Sequence, residues 1–403
     1  MTSDLNVLMF GWELPPSNSG GMGVACQGLT QGLSHQGVRV SFILPKQMTT
    51  NAPHMEVHYA GIPGVKTIKI NSLLQGYMTA EQYKYFKQQN YKFDARVFGN
   101  TIYEEALRYG QQAAKWAHTI QHNIIHAHDW MTYPAGWNAA NASGKPWIAH
   151  VHATEFDRAG ERPDTRISEI EYQGMQRADR VICVSALTKN IVTDKYGVDP
   201  NKVRVVYNGI SQFEFPVVDT SDLLPDKQVV LFMARLTMSK GAEYFLAAAA
   251  RVLEILPEAV FIIAGSGDLK QHLILKASTM GISDNIIFPG FIRDPLLKAK
   301  LYQRADIFVM PSVSEPFGLV ALEALANKRP VIMSRQSGVS EVISHALKTD
   351  FWDTDRLADQ MVSVLRYQAL SSELSQNGYQ QMQALTWDQA AQDTTAIYQE
   401  LAQ

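Results

Sequence analysis

Apolar residues fall along this chain in short runs, separated by longer stretches with helical spacing. In the first half the runs Asn6–Phe10, Val38–Leu44, Ile124–Ala127, Trp147–Val151, Arg180–Val184 and Val203–Val206 predict strands. Helical patterns lie between them, including Gly23–Ser34, Thr101–Gln121 and Ile167–Gln176. In the second half Gln228–Met233, Ala259–Ala264, Asn285–Phe288, Ile307–Met310 and Pro330–Met333 predict strands. Gly241–Leu256, Leu269–Met280, Leu296–Arg304 and Val320–Ala326 predict the intervening helices. Strand–helix alternation of this kind builds parallel sheets covered by helices. Because it runs through both halves, the pattern predicts an α/β protein of two doubly wound domains, each with a Rossmann-like crevice.

Asn208-Gly209 is a turn signal, and the Pro- and Asp-rich stretch to Asp226 reads as a hinge. The expected domains are therefore 1–212 and 213–386, followed by a helix over 387–403 with Trp387, Ala391 and Tyr398 on one face. Residues 48–95 are less regular and rich in Tyr, Gln and Lys, which suggests an insertion on the substrate side.

Composition narrows the class. The chain has 403 residues, enough for two domains, and its 46% hydrophobic content supports substantial cores. A net charge of −3 gives no basic excess for nucleic acid or an anionic membrane. Cys26 and Cys183 sit far apart beside apolar residues, so two reduced core thiols are expected rather than a disulfide. No apolar run approaches the ~18 residues of a membrane span, and the first residues lack a secretory pattern, so a cytoplasmic protein without integral membrane association is the expectation.

Candidate chemistry concentrates in Ser312-Val-Ser-Glu-Pro-Phe-Gly-Leu-Val-Ala-Leu-Glu323. Pro316 and Gly318 look like a turn feeding a helix. Glu315 would precede that helix and Glu323 would sit a little over one turn inside it. The amides of Gly318, Leu319 and Val320, with Phe317 before them, would then face an anion. One acid above an anion site and one beside it suit a diphosphate carrying a polyol on each side, as in a nucleotide sugar. A capped core helix with one surface Glu is the plain alternative.

Three glycine-rich corners add to this. Gly20-Gly21-Met-Gly23 opens the first helix without the Gly-x-Gly-x-x-Gly spacing or downstream acid of a nicotinamide-nucleotide site. Ala234-Arg-Leu-Thr-Met-Ser-Lys-Gly241 places Arg235 and Lys240 at a second strand-to-helix corner, a fork and a point charge for one diphosphate. Gly265, in Ala264-Gly-Ser-Gly-Asp268, marks a third. The runs His126-Ala-His128-Asp129 and His150-Val-His152 pair histidines at i, i+2 on one strand face. With no obvious further ligand, a metal is not expected. His126 and His150 read as core residues, and His128, Asp129 and His152 as polar candidates at strand ends.

Together these segments resemble retaining nucleotide-sugar glycosyltransferases of the GT-B fold, of the family 4 or group 1 type. The most specific match is Glu315-x7-Glu323, joined by Arg235, Lys240-Gly241, Gly20-Gly21-Met-Gly23, His128-Asp129-Trp130 and Asn208-Gly209. The first half looks most like bacterial and archaeal glycogen or starch synthases, through His-Ala-His-Asp-Trp, Arg158-Ala-Gly-Glu161 and Ile170-Glu171.

The resemblance implies two domains facing across a cleft, with the last helix packing back towards the first. It implies that Arg235 and Lys240 bind the donor diphosphate, with Gly21 and Asn208 near it, and that Glu323 holds the ribose and Glu315 the donor sugar. His152 would contact that sugar, and Asp129 would orient sugar or acceptor. The implied reaction is metal-independent hexosyl transfer with retention, without a cofactor. ADP-glucose or UDP-glucose would be the donor, and an α-glucan or another carbohydrate the acceptor. Sugar-phosphate, lipid-linked and small-molecule acceptors are the alternatives within the class. A nucleotide-sugar 2-epimerase and a silent glycan-binding protein are those outside it. Asn18 departs from the synthase pattern, which has a Lys two residues before the Gly-Gly.

Overall fold

Strand 1 (β1, Asn6–Phe10) is continuously apolar after its first residue and has both faces covered, which its sequence alone dictates for a central parallel strand. A computed structural model describes residues 5–14, 20–46, 55–59, 64–76, 78–89, 98–211 and 215–402. The chain divides into two units, Met1–Gly209 with Thr386–Gln403, and Ile210–Leu385.

In the first unit the order continues α1 (Gly21–His35), β2 (Arg39–Lys46), β3 (Met55–Tyr59), β4 (Val65–Asn71), α2 (Ala80–Gln89), α3 (Ile102–Ala114), β5 (Ile124–His128) and α4 (Tyr133–Ser143). Then come β6 (Trp147–Val151), α5 (Glu155–Ala159), α6 (Thr165–Arg177), β7 (Arg180–Cys183), α7 (Ala186–Asp194) and β8 (Val203–Val205). Eight strands form one sheet in the order β3-β4-β2-β1-β5-β6-β7-β8. All pair in parallel except β3 with β4.

The second unit runs β9 (Val229–Met233), α8 (Ala242–Ile255), β10 (Val260–Ala264), α9 (Lys270–Thr279), β11 (Ile286–Gly290), α10 (Pro295–Arg304), β12 (Ile307–Met310) and α11 (Leu319–Ala326). It ends with β13 (Val331–Ser334), β14 (Leu347–Thr349), α12 (Thr354–Arg366) and α13 (Gln368–Met382). Its six strands pair in parallel in the order β11-β10-β9-β12-β13-β14. Phe232, Phe245 and Phe261 anchor one core layer beneath it.

The last helix, α14 (Trp387–Leu401), lies on α1 of the first unit. Two glycines of α1 make room for it: a Cβ on Gly28 would lie 2.2 Å from the Trp387 ring, and one on Gly32 2.5 Å from the Trp387 carbonyl. Tyr398, fully buried, reaches into the sheet and bonds His126 at 2.6 Å.

The expected insertion is in part a sheet extension. Residues 55–59 and 65–71 form β3 and β4, β4 pairs with β2 over seven registered positions, and 80–89 is helical. The remaining positions of 48–95 are only partly within the described residues, and Asn18 lies outside them.

Candidate active site

In the second sheet the chain leaves β9 towards β10 and leaves β12 towards β13, in opposite directions. Such a reversal opens a crevice beyond the carboxyl ends of the two strands, where α/β folds bind ligands. The loop after β9 and the loop after β12 are joined there. Val313 and Ser314 donate N–H bonds to the Ser239 carbonyl at 2.8 and 3.3 Å. Gly241, at φ +73°, passes so close that a Cβ would sit 1.8 Å from the Pro311 carbonyl oxygen. Gly265, at φ +145°, is equally confined, 1.8 Å from the Ala234 oxygen. Its missing side chain therefore serves the packing of two strand ends.

This junction brings the predicted residues of the second half together. Lys240 Nζ lies 2.8 Å from Glu315 Oε2, which also accepts from Ser312 Oγ at 3.3 Å. The Glu315 backbone is held on both sides, its N–H donating to Gln336 and its carbonyl accepting from Gly338. Arg235 stands half-buried two residues beyond β9. Buried Phe317 precedes Gly318, which caps α11 at φ +111°. The amides of Leu319 and Val320 open that helix directly after the Glu315 loop, and the first amides of a helix form its positive end.

Glu323 is buried one turn further on. Its Oε1 accepts from Lys298 Nζ at 2.6 Å and its Oε2 from the Tyr302 hydroxyl at 2.8 Å. Sequence reasoning missed both partners. Lys298 and Tyr302 are four apart on α10 and share a face, but nothing in the sequence shows that this face meets α11.

The first sheet repeats the reversal, with the chain leaving β1 towards β2 and β5 towards β6. Gly20 caps α1 in extended geometry and Gly21 is its exposed first residue. Asp129 sits at φ +57° just past β5 and is buried. Its Oδ1 accepts from the His152 amide at 2.7 Å and from the Ala153 amide at 3.4 Å, so the carboxyl works on the backbone that carries His152. Burial pushes this carboxyl up to about 7, against the pull of Arg158 and the two amides.

Four imidazoles stack beside it. His128 Nδ1 and His152 Nε2 are 2.9 Å apart, and His126 Nε2 and His150 Nδ1 3.0 Å. Burial lowers the basicity of all four, taking His152 to about 3. Cys26, His128 and His152 bring possible metal-ligand atoms within 4.8 Å of one another, as do His126, His128 and His150. The pairs above are at hydrogen-bond distance, however, and burial, with Asp129 and Glu13, raises the Cys26 thiol well above its ordinary value. One nitrogen of each of these rings is engaged in a bond to another ring, while His128 Nε2 and His150 Nε2 have no hydrogen-bond partner among the described residues.

Behind this cluster lies a buried charge network. Arg158 bonds Glu155 at 2.8 Å and Glu171 at 2.5 Å, and Tyr196 donates to Glu171. Asn208 is buried in the loop after β8, beside Gly209, where a Cβ would lie 2.2 Å from the Thr386 backbone.

Comparison with known proteins places this architecture. The model for glycosyltransferase family 4 matches residues 19–212, and that for glycosyl transferases group 1 matches residues 219–381. The chain belongs to the group 1, family 4 glycosyltransferases. An uncharacterized glycosyltransferase of Methanocaldococcus jannaschii is 29% identical over 98% of both chains. A D-inositol 3-phosphate glycosyltransferase of Segniliparus rotundus is 26% identical, covering 96% of this chain and 86% of its own. A glycogen synthase of Mycobacterium tuberculosis is 25% identical over 84% of this chain and 80% of its own. Among solved structures, sucrose-phosphate synthase from Thermosynechococcus elongatus superposes with a TM-score of 0.80 at 23% identity, over 98% and 99% of the two chains, which shows the shared GT-B fold.

Proposed function

We propose that this glycosyltransferase moves a hexose, glucose foremost, from a nucleoside diphosphate sugar to a carbohydrate hydroxyl with retention of configuration. The observation that carries the reading is the pair of ion-paired acids flanking the opening of α11, Lys240–Glu315 on one side and Lys298–Glu323 on the other. A diphosphate set between them meets Arg235, Lys240 and the α11 amides. Its ribose meets Glu323 and its sugar meets Glu315.

Breaking the sugar–phosphate bond develops charge on a phosphate oxygen. Two fixed cations and a helix N-terminus answer that charge. The acceptor hydroxyl attacks from the face the phosphate leaves, and the departing phosphate takes its proton. Neither carboxylate then serves as a nucleophile, unlike the acids of retaining glycosidases. The chemistry needs no metal on this account, because Arg235 and Lys240 supply the positive charge.

For the acceptor, the synthase-like segments of the first half support an α-glucan. The inositol 3-phosphate relative supports a second reading, a phosphorylated polyol or sugar. The protein is incubated with ADP-glucose, UDP-glucose or GDP-mannose and, in turn, a maltooligosaccharide, glucose 6-phosphate, fructose 6-phosphate or inositol 3-phosphate. Products are read by mass spectrometry and anomeric proton coupling. An α-linked product from an α-linked donor is expected, and the productive acceptor names the class. A β-linked product, or no transfer by folded protein, contradicts the proposal.

A further inference from the structure

His128 and His152 share one hydrogen bond and two exchangeable protons. Burial keeps both rings neutral, so each carries a single N–H. One of the two N–H groups makes the 2.9 Å bond between His128 Nδ1 and His152 Nε2, and the other must go elsewhere. If His152 Nε2 donates, His128 carries its proton on Nε2. That atom is fully buried and has no hydrogen-bond partner among the described residues. If His128 Nδ1 donates, the buried Nε2 is a bare lone pair, and the remaining proton lies on Nδ1 of His152, a half-buried residue at the open end of β6. A buried N–H without an acceptor is the costlier of the two states and the rarer one in folded proteins.

We propose that His128 is a positioning residue: it donates to His152 Nε2 and so fixes His152 as the Nδ1–H tautomer, with one outward hydrogen-bond donor and no outward acceptor. The neighbouring geometry holds this pair in place. His126 stacks on His128 at 4.4 Å between ring centres, and His150 on His152 at 4.3 Å, which holds the plane of each ring, while the 2.9 Å Nδ1–Nε2 contact sets which edge faces the partner. Asp129 holds the backbone amide of His152, which fixes where the ring is mounted. The other histidine pair imposes no such choice. Tyr398, His126 and His150 share three protons over two bonds, and either direction leaves one proton over.

The consequence for function rests on the hexosyl-transfer reading. A neutral imidazole that can only donate outward suits a sugar hydroxyl oxygen held as an acceptor. It does not suit removal of a proton from the attacking hydroxyl. His152 then binds and orients the sugar, and the proton goes to the leaving phosphate.

The test is a long-range 15N–1H correlation spectrum of the full-length protein labelled with 15N-histidine, with the His152 signals identified by their loss in His152→Gln. The expected pattern is a protonated Nδ1 and an unprotonated Nε2 on His152, and likewise a protonated Nδ1 and an unprotonated Nε2 on His128. A protonated Nε2 on His152 overturns the proposal, whatever the enzyme does with sugars. Two variants read the functional link. The side-chain amide of His128→Asn can stand where Nδ1 stands and donate to His152, whereas His128→Leu cannot. Turnover in His128→Leu should fall at least tenfold, with at least half of that loss recovered in His128→Asn and the His152 tautomer restored with it. Equal loss in both variants with the tautomer retained overturns the link. If His128→Leu does not fold, the wild-type spectrum and His128→Asn still decide it. Absence of transfer from every donor with the expected tautomer present contradicts the hexosyl-transfer reading and leaves the assignment of His128 standing.

Discussion

Replacing Asp129 by Asn should flatten the pH dependence of the first unit's stability. The carboxyl titrates at about 7 in the fold, against an ordinary 3.8, because burial outweighs Arg158 and the two amides that hold it. A group whose proton is held more tightly in the fold stabilises the fold while protonated. That contribution is complete below an unfolded value of 3.8 and is lost as pH rises through about 7. Integrating between those values, the wild type should lose about 2.5 kcal/mol between roughly pH 5 and pH 8.5 from this one group. The carboxamide of Asp129→Asn has no proton to lose. Its oxygen still accepts from the His152 and Ala153 amides, and Asn tolerates the φ of +57°. The difference in stability between the two proteins should therefore open by about 2.5 kcal/mol across that range in favour of the variant. Urea unfolding followed by tryptophan fluorescence measures it. Six of the seven tryptophans lie in the first unit, and a Trp352→Phe background, at a residue 58% exposed, removes the seventh. Parallel stability curves for the two proteins would show instead that Arg158 and the amides keep Asp129 ionised at neutral pH.

Other substitutions test other joints. Gly241→Ala puts a Cβ 1.8 Å from the Pro311 oxygen at a left-handed φ, and should lower the stability of the second unit by about 3 kcal/mol, read as a drop in its thermal midpoint. Lys240→Met leaves Glu315 with Ser312 as its remaining side-chain bond in the junction. Hexosyl transfer should fall by about a hundredfold or more, measured as kcat/KM for the donor. Tyr302→Phe removes one of the two bonds on Glu323 and should cost about 1 kcal/mol of stability in denaturant titration. Trp387→Ala empties the groove formed at Gly28 and Gly32, and should cost the first unit about 3–5 kcal/mol in the same titration.

What is legible in the sequence follows from what local pattern encodes. Trp147–Val151 and Ile307–Met310 are recovered to the residue, because a buried parallel strand is a short apolar run with polar or Pro neighbours. Pro316 and Gly318 announce the start of α11, and the structure opens that helix at Leu319 with Gly318 as its cap. Strands β3 and β4 fall within what the sequence presents as an irregular insertion. In Val65–Asn71 the alternation breaks at Lys66-Thr67, so the segment shows no clean period, and the structure shows it paired with β2 over its whole length. The helices α12 and α13 and the strand β14 are absent from the elements the sequence pattern predicts. The three residues of β14 are too few to show a period.

At the site, pattern gives residue types at strand ends but not their partners. Lys240 and Glu315, 75 positions apart, are each candidates by sequence, and their 2.8 Å contact is visible only in three dimensions. The resemblance gives Asp129 the task of orienting sugar or acceptor. In the fold its side chain accepts from the His152 and Ala153 amides, and its backbone is at φ +57°. Lys298 on Glu323 and Tyr398 on His126 come from helices whose facing surfaces only the packed chain defines.

Release of nucleoside diphosphate reports whether the donor sits on Lys240, Glu315 and the opening of α11. Wild-type protein, Lys240→Met and Glu323→Gln are each given ADP-glucose, UDP-glucose and GDP-mannose with the acceptor panel, and the diphosphate formed is counted by a coupled assay. Acceptor-dependent release from one donor is expected, lost at least about a hundredfold in Lys240→Met, with the donor KM raised in Glu323→Gln. Release that is unchanged in both variants would place the diphosphate elsewhere and contradict the site built on Lys240, Glu315, the opening of α11 and Glu323.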